Sequence, residues 1–180
     1  ACLVGSEMCI RDRNVAGGPP VVYLNVPSQE MKNVTQKLLE DGLPVWMGCD
    51  VGKQMHRERG LWDAKLFDFA ELYGTEFGMD KANRLRYSQT MMTHAMLFTG
   101  VDVIDGVPRR WRVENSWGAK KSGEEGFYTM NDSWYDEHMF EIAAPTDYLT
   151  EKMKKGLSTT PVVLPAWDPM GSLAKDEASL

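Results

Sequence analysis

A chain of 180 residues, 43% hydrophobic and 26% charged, has the composition of a globular domain with a real core, not of a disordered or fibrous polypeptide. With 20 Lys and Arg against 26 Asp and Glu, the formal charge of −6 excludes general attraction to nucleic acid or an anionic membrane. No apolar run approaches the roughly 20 residues that span a bilayer, and three cysteines, at 2, 9 and 49, make no disulfide framework, so a reducing compartment such as the cytoplasm is expected.

Residues 1–13 show no clear periodicity and join abruptly to Gly17, Gly18, Pro19 and Pro20, which is turn chemistry. They read as a non-native leader, followed by one domain over 14–174 and a tail extension at 175–180. A β-branched and aromatic run at 21–26 predicts a strand or extended lead-in, and Ser28 is placed to cap a helix. Met31, Val34, Leu38 and Leu39 carry that helix to Glu40, where Asp41 and Gly42 stop it. Residues 43–47 read as a buried strand leading to a tight backbone path at 48–52. The mixed, charged stretch 53–90 predicts a long excursion with short helices at best. Residues 91–103 are the clearest strand, and Asp105-Gly106 predicts a hairpin turn into a second strand at 109–114. A turn at 123–126 leads to a third strand at 127–130, a helical turn within 131–140 and a fourth strand at 141–144. A weak helix at 147–155 and a Pro-rich end at 161–170 follow.

Two residues in this β-rich stretch bear chemistry. The separation of 21 residues between His94 and Asn115 suits a hairpin that returns the chain beside its start, so both side chains can meet at one end of adjacent strands. A carboxamide accepting from an imidazole N–H holds the ring without adding a full charge. Trp117, two residues on, is placed to cover that bond and exclude water. Each residue alone has a plainer reading, as a core histidine, a turn-forming asparagine or a packing tryptophan.

The runs Met92-Thr93-His94-Ala95-Met96 and Trp111-Arg112-Val113-Glu114-Asn115-Ser116-Trp117-Gly118 change those odds, since they resemble the histidine and asparagine motifs of papain-like cysteine peptidases in the form used by bleomycin hydrolases. The block from Val45 to Lys53 and the tail from Leu164 to Gly171 agree with it. The resemblance implies an α+β fold, of which this chain holds the C-terminal, β-rich half with flanking helices. It implies His94 and Asn115 as catalytic residues and Trp117 as their support. The nucleophilic cysteine and oxyanion glutamine of such enzymes belong to the earlier half. It further implies aminopeptidase activity on peptide substrates through an acyl-enzyme, a C-terminal arm lying in the cleft and a homohexamer, with no cofactor.

Two alternatives stay open: a non-catalytic peptide-binding or structural module of the same fold, and a self-contained peptidase using Cys49, His94 and Asn115. The latter is disfavoured, because Asp50 beside Cys49 raises a thiol pKa where a nucleophile wants a cation or a helix N-terminus. His56, His94, His138 and Cys49 lack paired metal-ligand spacing, so no metal is expected.

Overall fold

The computed structural model describes residues 2–4, 22–119, 123–165 and 167–170. The leader beyond Val4, the turn at 17–20 and the extension at 175–180 lie outside them. Nine strands among the described residues form one sheet: β1 (Cys2–Val4), β2 (Tyr23–Asn25), β3 (Val45–Cys49), β4 (Met55–His56), β5 (Leu61–Trp62), β6 (His94–Ile104), β7 (Val107–Glu114), β8 (Phe127–Asn131) and β9 (Met139–Ala143). Their order across the sheet is β2-β1-β9-β3-β6-β7-β8-β5-β4. Helices α1 (Ser28–Glu40), α2 (Phe69–Tyr73), α3 (Lys81–Arg86), α4 (Asp132–His138) and α5 (Glu151–Leu157) complete an α+β fold. None of the described helices is long and apolar enough to cross a membrane.

The helix α1 docks on the sheet through Met31, Val34 and Leu38, all buried. Burying such side chains stabilises by roughly 1.5–3 kcal/mol each, more than a missing cap costs. The expected serine cap is indeed missing: Pro27 holds the cap position with φ −56°, and Ser28 is the first helical residue. Proline's fixed φ sets the entry angle without a capping hydrogen bond.

The central hairpin follows from its turn. Asp105 and Gly106 adopt φ of 52° and 77°, the two left-handed positions of a type I′ turn. The second strand begins two residues earlier than expected, because Pro108 is accommodated opposite Val103 beside a bulge at Asp102/Val103. The first begins three residues later, at His94. Its approach is instead held by the Thr93 amide donating to the Cys49 carbonyl at 2.9 Å and by the Thr90 hydroxyl donating to Asp50 at 2.6 Å. Near the C-terminus the expected helix divides into a 3-10 turn at Thr146–Tyr148 and α5, since the Thr150 hydroxyl caps the latter by accepting from the Met153 amide.

Phe98, Trp111 and Tyr135, all fully buried, contact one another at ring separations of 5.0 to 5.7 Å. This cluster joins β6 and β7 to α4. The excursion at 53–90 contributes β4, β5 and the short helices α2 and α3, which bury no residue of their own.

Candidate active site

Register explains how the site assembles. The ladder between β6 and β7 ends at Leu97 and Glu114, three residues beyond His94 on the one strand and one residue before Asn115 on the other. Asn115 turns in at this end with its amide donating to the Gly126 carbonyl at 3.0 Å. Its side chain is 7% exposed, and its Oδ1 lies 3.0 Å from His94 Nε2. Because Oδ1 can only accept, Nε2 carries the hydrogen and Nδ1 is left as the basic nitrogen of the neutral ring. The Trp117 ring stacks on the imidazole at 5.0 Å between centroids and 30° between planes. His94, Asn115 and Trp117 therefore come together in the arrangement expected from their spacing.

On its other side His94 pairs with Cys49 across β6 and β3. Cys49 is wholly buried, and its thiol donates weakly to the His94 carbonyl oxygen at 3.7 Å. Burial, then Asp50, then Glu141 push its pKa well above the ordinary thiol value. Away from solvent, the Cys49 side chain packs within the hydrophobic core. The turn beyond it is pinned by two indoles, Trp62 donating to the Val51 carbonyl at 3.0 Å and Trp134 to the Lys53 carbonyl at 2.7 Å. The block at 48–52 thus forms the support on which β6 starts.

The other histidines sit apart from this pair. His56 Nδ1 accepts from the Arg59 amide at 3.4 Å, and His138 packs on Trp134 at 5.0 Å. Among the described residues no three His, Cys, Asp or Glu side chains gather as a metal ion would need. One residue of the site carried no signal in the sequence: Arg57, whose guanidinium lies over the Trp117 ring, 4.9 Å from its centroid. Tyr128 also meets Trp117 edge-on at 6.2 Å.

An α+β sheet that presents a histidine braced by an asparagine under a tryptophan defines the papain-like class. The chain belongs to the Peptidase C1-like family, whose model matches residues 9–171. It is 41% identical over 161 residues to an Aminopeptidase C of Listeria innocua, a match covering 89% of this chain and 36% of that protein. It is 40% identical over 166 residues to the Bleomycin hydrolase of Homo sapiens, covering 90% and 36%. The crystal structure of PepW from Lactobacillus rhamnosis superimposes with a TM-score of 0.82 at 37% identity, covering 94% of this chain and 37% of that one. The chain thus spans little more than a third of the length of these relatives.

Proposed function

We propose that this chain supplies the histidine and asparagine of a cysteine-type aminopeptidase, acting with a nucleophilic cysteine from a part of the protein outside these 180 residues. His94 Nδ1 takes the thiol proton, the thiolate attacks the first peptide carbonyl, and the same nitrogen returns the proton to the departing amine. Water then enters, again deprotonated at Nδ1, and hydrolyses the acyl-enzyme. Asn115 fixes the ring so that Nδ1, not Nε2, faces the reacting atoms.

The His94–Asn115 hydrogen bond at 3.0 Å carries this reading. The names of the relatives, Aminopeptidase C and Bleomycin hydrolase, support removal of N-terminal residues. The buried, protonated state of Cys49 supports a nucleophile from elsewhere. In the full-length protein carrying this sequence, His94→Ala lowers kcat/KM for release of an N-terminal residue by about a thousandfold or more. Unchanged turnover rejects the assignment.

A further inference from the structure

We propose that Arg57 is a positioning residue of this site, holding Trp117 over His94 and thereby keeping water from the His94–Asn115 bond; the inference rests on the peptidase reading just given. Three contacts form a chain. The Arg57 guanidinium lies 4.9 Å from the Trp117 ring centroid, the Trp117 ring stacks 5.0 Å from the His94 imidazole, and the imidazole pairs with Asn115 at 3.0 Å.

Arg57 is exposed, yet its backbone is fixed. Its carbonyl accepts from the amides of Gly60 at 3.1 Å and Gly123 at 3.2 Å, and the Gly60 carbonyl accepts from the Thr129 amide at 2.8 Å. The approach needs both glycines. Gly60 has φ +60°, and a Cβ there would stand 2.5 Å from the Gly123 Cα; Gly123 has φ +63°, and a Cβ there would strike the Phe127 carbonyl. The turn at 57–60 is therefore locked to the segment after Trp117, and the guanidinium is delivered to the indole. Among the described residues the Arg57 side chain makes no ion pair or hydrogen bond, which leaves the ring as its partner.

An exposed cation on an indole is a modest interaction, and its removal corresponds to a rate change of about two- to fivefold. In the full-length protein carrying this sequence, Arg57→Gln lowers kcat by that factor with KM unchanged, and Arg57→Lys restores most of it. With histidines labelled in 13C, the His94 ring-proton resonance moves in Arg57→Gln toward its position in Trp117→Ala and stays near wild type in Arg57→Lys. An Arg57→Gln protein with wild-type kcat and an unmoved His94 resonance overturns the proposal. A lowered urea midpoint with that resonance unmoved also overturns it, since it marks a purely structural arginine. If His94→Ala retains turnover, the peptidase reading fails on its own, while the resonance still decides whether Arg57 holds the stack.

Discussion

In the proposed function, Asn115 does for His94 what a charged orienter does elsewhere, at lower electrostatic cost. Its Oδ1 selects the tautomer, and its near-complete burial keeps water from competing for the Nε2 proton. Removing one partner of a buried hydrogen bond costs about 1–3 kcal/mol. On the proposed peptidase function, Asn115→Ala is therefore expected to lower kcat/KM of the full-length protein about ten- to a hundredfold, less than His94→Ala, in steady-state peptide hydrolysis; an unaffected rate contradicts the orienting role. Both residues were legible in the sequence because their 21-residue spacing fits a hairpin and their flanking runs carry a family motif. Trp117 was legible for the same reason. Arg57 was not, since it reaches the ring across 60 residues of chain through an irregular excursion whose path no local periodicity encodes.

Among the elements, β9 carries the least conventional residue. Glu141 lies in its middle, 5% exposed, above Gly48 on β3, where a Cβ would stand 2.6 Å from its Cγ. Burial raises its pKa from 4.5 to about 7, opposed by a hydrogen bond from Tyr23. Between those values the folded chain keeps a proton that the unfolded chain releases. The stability involved is present below pH 4.5 and is lost as pH rises through 7, by roughly 3 kcal/mol in all. His138, at the end of α4, acts in the other direction: burial, with Arg84, Lys81 and Lys53, lowers its pKa from 6.5 to about 3, so its contribution is present above pH 6.5 and lost on acidification. Glu141→Gln isolates the first effect. In urea titrations the variant gains stability over wild type by about 2–3 kcal/mol between pH 5 and pH 8; a difference independent of pH contradicts it.

Element boundaries were less legible than element types. The start of β6 moved to His94 because Met91 and Met92 are buried by the tertiary fold without entering the ladder. The serine cap gave way to Pro27 because apolar burial alone suffices to dock α1. By contrast, the Asp105-Gly106 turn required no tertiary information, its two left-handed residues being a local demand.

For the molecule as a whole, the α+β class could be read from the chain but the order of the strands could not. β9 pairs with β1 on one side and β3 on the other, contacts between distant parts of the chain that periodicity does not record. The same long-range pairing sets the site, since β3 and β7 flank β6 and hold His94 between Cys49 and Asn115. The aromatic side chains of the excursion, Phe67, Phe69, Tyr73 and Phe77, remain outside this core and exposed. The chemistry proposed for the site turns on which nitrogen of His94 bears the proton. A two-bond 1H–15N correlation spectrum of the full-length protein, with 15N-labelled histidines, decides it at a pH where the ring is neutral. The prediction is a slowly exchanging proton on Nε2 and a bare Nδ1, with that protection lost in Asn115→Ala; a proton on Nδ1, or an Nε2 proton equally protected without Asn115, contradicts it.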